Sequence, residues 1–252
     1  MSSYQSFAFY YDKLTANIPY VRRGEYFHTV LQQNGVPKGG VLLDLACGTG
    51  SLTEVLARLG YDMIGVDASP EMLMEAMDKK YDSGLDILYL QQEMQELDLY
   101  GRIDACVCAL DSINHVTDPA QAARVFERVG LFLEPGGIFV FDVNSVYKHQ
   151  QVLSGQTFVY DLDEVFCVWQ NSVCRENQID ITLDLFGAEE DGEHYIRETE
   201  EFSERAYTHE EILAFLKGGQ MELAACYGED TLEPPGEQAE RLVYVAKSVK
   251  RR

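Results

Sequence analysis

VLLDLACGTG, residues Val41 to Gly50, is followed by GVD, residues Gly65 to Asp67. An apolar β-branched run ends in a carboxylate, a glycine turn and a helix start, and a second short strand ends in another carboxylate. Gly48 and Gly50 remove side chains where a ligand approaches the backbone, and their freedom in φ permits the tight turn from strand to helix. Asp67 follows the loop by 67 − 50 = 17 residues. At that spacing a second parallel strand presents an acceptor pair to a ribose diol. The pattern describes a nucleoside site.

Two cofactor classes compete for it. A dinucleotide loop uses G-x-G-x-x-G, whose third glycine allows close helix packing and whose helix N-terminus faces a pyrophosphate. Here Thr53 holds the third position and Ala46 stands where a further glycine could begin the loop. Asp44, on the leading strand, repels a pyrophosphate and suits a cationic amino-acid ligand. The segment resembles a class I S-adenosylmethionine (SAM) dependent methyltransferase. The resemblance continues through GVDASPEML (Gly65 to Leu73), DACVCALDSINHV (Asp104 to Val116) and LEPGGIFVFDVN (Leu133 to Asn144).

Composition agrees with a compact enzyme. The chain has 252 residues, 46% of them hydrophobic, enough to bury a sizeable core. Lys and Arg number 20 against 42 Asp and Glu, a net charge of −22, and the only basic run is Lys250-Arg251-Arg252. Such a surface repels phosphate backbones, so nucleic acid is not the expected substrate. The six cysteines form no C-x-x-C pair and read as reduced thiols of a cytoplasmic protein, with no metal site. MSSYQSFAFYYDKL lacks a basic region before an apolar core, and no run reaches the about 18 apolar residues of a membrane span.

Helices are expected over Tyr4 to Leu14, Glu25 to Asn34, Ser51 to Leu59, Pro70 to Lys79 and Pro119 to Phe132. Strands are expected over Val41 to Leu45, Met63 to Val66, Ile87 to Leu90, Ala105 to Ala109 and Ile138 to Asp142. This alternation predicts a doubly wound α/β core, with Ser69 capping the fourth helix ahead of Pro70 and Pro135-Gly136-Gly137 turning the chain. After Asn144 the alternation stops. Glu164 to Val173, Ile179 to Phe186 and His194 to Ala206 read as antiparallel strands. Thr208 and Glu211 then form a capping box opening helix Glu210 to Lys217, and Met221 to Tyr227 and Leu242 to Ala246 end the sheet. The expected architecture is a seven-strand Rossmann-like core, residues 1–153 and 208–252, with an antiparallel β cap, residues 154–207, over the acceptor site.

The layout is similar to the small-molecule branch of these methyltransferases that includes sugar N-methyltransferases. There an aromatic Y-D motif, here Tyr11-Asp12, precedes the core, and a β cap covers the acceptor pocket. Trp169, Arg197, Glu201, Arg205 and Tyr207 resemble the cap pattern. The resemblance implies SAM as cofactor. It places Asp67 at the ribose, Asp44, Gly48 and Gly50 at the methionine end, and Ala46 and Ala68 among the cofactor-binding residues. Met72, Glu93 and Met94 fall at the adenine, where many relatives carry Asp in place of Glu93. The Leu110 backbone is placed near the amino group, Tyr11 over the carboxylate and His115 at the sulfonium end. Asp111, Asn114, Trp169 and Arg197 are assigned to the acceptor pocket. Each has a structural alternative: Asp111 and Asn114 as caps of Ser112 and its neighbours, Met72 as a core methionine, His115 as a loop hydrogen-bonder. Cys47 reads as loop packing, since no cationic neighbour activates it.

These residues predict in-line transfer of a methyl group to nitrogen or oxygen of a small-molecule acceptor, with His115 as the candidate catalytic base. An amine or amino sugar leads, by the resemblance. A catalytically silent SAM-binding regulator and an NAD-dependent oxidoreductase stand as alternatives. Oligomeric state is left open, a homodimer included.

Overall fold

A computed structural model describes residues 5–188 and 194–251, with only the backbone of 5–9. Tyr4, expected to begin the first helix, lies outside the described residues. The helices are α1 (Gln5–Leu14), α2 (Tyr20–Gln33), α3 (Ser51–Arg58), α4 (Pro70–Ser83), α5 (Pro119–Phe132) and α6 (His209–Gly218). The strands of the first sheet are β1 (Val41–Leu45), β2 (Asp62–Asp67), β3 (Ile87–Gln91), β4 (Ile103–Cys108), β5 (Leu133–Asn144), β10 (Met221–Gly228) and β11 (Arg241–Ser248). The second sheet holds β6 (Thr157–Asp161), β7 (Val165–Asn171), β8 (Gln178–Ala188) and β9 (Tyr195–Arg205).

The first sheet runs β10-β11-β5-β4-β1-β2-β3, parallel from β5 to β3, with β11 antiparallel to both β5 and β10. The second is an antiparallel meander, β6-β7-β8-β9. The first sheet is a doubly wound, Rossmann-like core, and the second, the segment expected as a cap, is a separate antiparallel sheet.

Successive strand residues point to opposite faces, so the continuous apolar strands feed two cores. Leu43, Leu45, Cys106, Phe139 and Phe141 pack beneath α5 and α6. Leu42, Val107, Ile138 and Val140 pack beneath α2 and α3. Phe126 of α5 lies 5.2 Å from Phe141 and 5.5 Å from Phe215 between ring centroids, and each such buried ring contributes about 1.5–3 kcal/mol. The expected caps are present. The Ser69 hydroxyl accepts from Met72 N–H at 3.2 Å, and Thr208 with Glu211 closes a reciprocal box at 3.2 and 2.8 Å.

Two readings are corrected and two elements are added. Helix α2 starts five residues before Glu25, because Pro19 precedes a turn whose Arg23 and Gly24 are buried. A side chain at Gly24 would overlap Val55, so this glycine serves helix contact. Strand β5 begins at Leu133, which pairs with Ile103 before the ladder shifts register and resumes at Ala105 and Ile138. Pro135-Gly136-Gly137 is therefore an irregularity inside the strand. Strand β6 was not foreseen, being a short edge element, and neither was a π-helical turn at Lys148–Leu153.

The cap rests on α1. Tyr10 and Leu14 pack with Leu153, Val165, Ile181 and Leu185, and Tyr10 sits so close to Gly187 that no Cβ fits there. Lys13 pairs with Glu164 at the β6–β7 turn.

Candidate functional site

Strand β1 has β2 on one side and β4 on the other, so the chain leaves the sheet in opposite directions from their C-terminal ends. In open α/β sheets that reversal leaves a crevice for ligands. A crevice is present there, lined by the loop after β1 and the loop after β4. Of the expected residues, Tyr11, Asp44, Ala46, Gly48 and Leu110 line it, joined by Tyr20, Ser51 and Ser112.

The loop after β1 is tightly held. Cys47 N–H donates to the Val66 carbonyl at 2.9 Å, and Gly48 N–H donates to Asp67 Oδ2 at 2.8 Å. Ala46 and Gly48 have φ of 60° and 54°. A Cβ on Gly48 would meet no atom within 4 Å, so its open side is space a ligand can use. Gly50 has the expected left-handed φ, 75°, and a second role in packing. A side chain there would overlap the Tyr89 hydroxyl and crowd Ala76 at 3.0 Å, so its absence serves packing between α3, α4 and β3.

Two carboxylates govern the electrostatics. Asp44, 2% exposed, accepts from the Thr53 hydroxyl at 2.6 Å. Burial first, then the Asp67 charge, pushes its carboxyl up to about 7 against the Thr53 bond. Asp67 also accepts from Ser69 N–H at 2.9 Å through Oδ1. Burial raises its carboxyl, opposed by bonds from Ser69, Gly48 and Ala68 and reinforced by the Glu93 charge. Burial pushes the Cys47 thiol well up, with Asp44 and Asp67 adding to it, so it is not an activated nucleophile.

Ala68 and Glu93 are exposed at the ends of β2 and β3, Met94 is half-buried, and Met72 is buried on α4 with 5% exposure. None of these four lines the crevice, and neither do Asp67 and His115.

After β4, Leu110 and Asp111 are consecutive left-handed residues, φ 57° and 54°. The Asp142 carboxylate receives both their N–H groups, at 3.0 and 2.8 Å. Such backbone costs about 1–2 kcal/mol per residue and persists because its surroundings over-determine it. Asp142, fully buried, pairs with Arg23 at 3.0 Å and with Arg241, which reaches Asp111 at 2.9 Å. Burial would raise the Asp111 carboxyl, but Arg241, Lys148 and His115 outweigh it and hold it at about 2. Burial, then Tyr20 and Asp111, pushes the Tyr11 hydroxyl well up, so it is a neutral phenol.

Sequence reasoning missed Arg23, Asp142 and Arg241. The available signal was a lone carboxylate inside the apolar run FVFDVN, since buried charges require partners. It also gave Asp12 only a place in a motif. Asp12 accepts from the Thr49 hydroxyl at 2.6 Å and pairs with Lys79, whose ammonium donates to Ser51 at 2.8 Å, fastening α1 to the glycine loop.

The acceptor assignments divide. His115, its side chain 31% exposed, lies 5.2 Å from the Phe202 ring and 3.8 Å from Glu204 of β9. Asn114 is fully buried. Its amide donates to the Arg205 carbonyl at 2.9 Å and the Asn144 carbonyl at 3.3 Å, and accepts from Asn144 N–H at 3.0 Å. Those bonds tie the 112–115 turn to β5 and β9. Trp169 pairs with Leu183, and Arg197 with Phe186, three residues along β8 and therefore on the other face. Trp169 shares the face of Leu183, Phe202 and Glu204. Arg197 is on the opposite side, bound to Asp184 at 2.8 Å, and is removed from the acceptor pocket.

Relatives bear on this geometry. A family model described as a methyltransferase domain matches residues 42–137. The Bacillus subtilis (strain 168) protein named "Putative methyltransferase YqeM" is 34% identical over 248 residues, covering 98% of each chain. A solved S-adenosylmethionine-dependent methyltransferase from Clostridium acetobutylicum ATCC 824 is 35% identical with a TM-score of 0.88, covering 97% of this chain and 98% of its own. SAM-bound CalS10, an amino pentose methyltransferase from Micromonospora echinaspora, shares the fold at 18% identity, with a TM-score of 0.72 and coverage of 90% and 91%. The matched domain and both full-length relatives are methyltransferases by name, which removes the oxidoreductase alternative. The chain belongs to the S-adenosylmethionine-dependent methyltransferases.

Proposed function

We propose that the acceptor is a small amine, methylated at nitrogen in the space between the 112–115 turn and the inward face of the cap. One observation carries this reading. The inward face of β9 presents Glu198, Glu200, Phe202 and Glu204, with Trp169 alongside, and among the described residues of the four cap strands that face has no lysine or arginine. Carboxylates and aromatic faces attract an amine in its cationic form and repel a carboxylate acceptor.

S-adenosylmethionine supplies, when bound, a methyl group already activated by its sulfonium. In the proposed pose Asp67 accepts from the ribose hydroxyls, Asp44 and the Gly48 loop hold the amino-acid end, and Met72, Glu93 and Met94 frame the adenine. Tyr11 closes over the carboxylate. His115 takes the proton that the amine must lose before its nitrogen can attack. Holding the reacting groups in line and excluding water supplies roughly 7–11 kcal/mol in well-oriented systems, so positioning is the larger contribution. The six unpaired thiols suit a reducing compartment, and among the described residues no helix is long and apolar enough to cross a membrane.

Two measurements test this. Asp67→Ala should weaken SAM binding at least ~10-fold by calorimetry, from hydrogen bonds worth about 1.5–3 kcal/mol each to a charged group. Radiolabelled methyl transfer should label amines in a metabolite extract and spare tRNA and DNA at low salt. Saturable labelling of a nucleic acid with none of the small-molecule fraction overturns the reading.

A further inference from the structure

Asp142 is fully buried near the end of β5, and each of its oxygens meets two donors. Oδ2 accepts from Leu110 N–H at 3.0 Å and from Arg23 Nη1 at 3.0 Å. Oδ1 accepts from Asp111 N–H at 2.8 Å and from Arg241 Nη1. Glu229, just after β10, takes Arg23 Nη2 at 2.6 Å and Arg241 Nε at 3.2 Å. Burial would lower the Arg241 guanidinium, but Asp111, Asp142 and Glu229 outweigh it and push it up, so it stays a cation. Asp142 is thus anchored from α2 and β11 on one side while it grips the loop after β4 on the other.

That grip decides how the loop faces the crevice. In a planar trans peptide the N–H and C=O point in opposite directions, so aiming the Asp111 N–H at Asp142 aims the Leu110 carbonyl directly away from it. Leu110 lines the crevice, and among the described residues no donor reaches its carbonyl. The neighbouring Ala109 carbonyl is already taken by the Ser112 hydroxyl at 2.8 Å. The orientation requires φ of 57° at Leu110, a conformation leucine avoids because its Cβ crowds the next carbonyl. Without a restraint the residue would turn back and carry the carbonyl with it. Arg23 extends the restraint to a second part of the wall, since it lies one turn after Tyr20 on α2 and Tyr20 also lines the crevice.

We propose that Asp142 is a positioning residue of the cofactor crevice, holding Leu110 in its left-handed turn so that the Leu110 carbonyl stays on the crevice side as an acceptor for the ammonium group of SAM. Asp142 itself touches no ligand. An oxygen already held in place needs no reorganisation when the cation arrives. This rests on the pose given above, in which the amino-acid end of SAM lies at the loop after β1.

Asp142→Asn has one acceptor oxygen for two N–H groups, so it should weaken SAM binding at least ~10-fold by calorimetry on the folded full chain. In a Leu110→Gly background the loss from the same substitution should shrink to about threefold or less, because glycine gains nothing by leaving a left-handed turn. Equal losses in the two backgrounds overturn the proposal, since a purely structural Asp142 would not depend on strain at Leu110. A wild-type measurement decides even if Asp142→Asn does not fold. In ¹³C,¹⁵N-labelled protein titrated with S-adenosylhomocysteine, which keeps the amino-acid end, the Leu110 carbonyl carbon should shift on binding. The Leu110 and Asp111 amides should resist hydrogen exchange with and without this ligand. Rapid exchange of either amide, or a carbonyl carbon that does not move at saturation, overturns the assignment. Asp67→Ala, measured alongside, separates this from the wider pose: if it binds SAM at wild-type strength while the Leu110–Asp142 coupling is found, the ribose placement fails and the role of Asp142 stands.

Discussion

Asp44 shows how one side chain links cofactor class to stability. Its carboxyl is raised from 3.8 to about 7, first by burial and then by Asp67. The folded state therefore holds a proton that the unfolded chain releases above its ordinary value. Stability from this group is full below pH 3.8 and is lost as pH rises through about 7, a change of order 4 kcal/mol. Asp44→Asn should flatten the fall in denaturant midpoint across that window, because its neutral amide can still accept from Thr53. A parallel fall in wild type and variant overturns the assignment. On the proposed pose, a cation beside Asp44 favours its ionised form, so SAM binding near pH 7 should release a proton, read by calorimetry in buffers of different ionisation enthalpy. At this scale the loop residues and both strand-end acids were legible, since their types follow from backbone geometry and charge. Gly50 has the left-handed φ, 75°, that its place in the turn predicts, and its missing side chain also makes room for Tyr89, a contact the letter alone does not reveal.

The cap strands were legible as strands from their alternation, but strand parity left open which face would meet the core. Register decides it: Trp169 and Arg197 occupy opposite faces of one sheet. Trp169 packs edge-on to Phe158 at 6.3 Å, its indole N–H donating to Asn171 at 2.6 Å. If this face receives the acceptor, Trp169→Ala should lower kcat/KM about 10-fold, roughly 1.4 kcal/mol, while SAM affinity stays within twofold. Equal turnover across acceptors in a folded variant removes Trp169 from the site. Arg197→Ala, on the far face, is the matched control and should leave turnover unchanged. Helix boundaries were read best where a cap fixed them, as at Ser69 and Thr208, and worst at α2, whose start depends on contact with Val55.

Across the whole molecule the net charge of −22 works against compactness. Screening shortens the reach of that repulsion from about 30 Å at 0.01 M salt to about 10 Å at 0.1 M. The thermal midpoint should therefore rise with sodium chloride over this range, by roughly 2–4 °C for each kcal/mol of repulsion relieved. A flat or falling midpoint shows that local ion pairs outweigh the general field. The sequence by itself determined the doubly wound core, the glycine loop with its two strand-end acids, the cofactor class and the antiparallel strands that interrupt the core. Each follows from local rules of period, turn chemistry and strand-end acids that act within a few tens of residues. Only the tertiary structure decided the Arg23–Asp142–Arg241 cluster, the inward face of the cap and the meeting of His115, Glu204 and His149. Those groups come from elements far apart in the chain, and their charges become informative only when burial removes the water that would otherwise screen them.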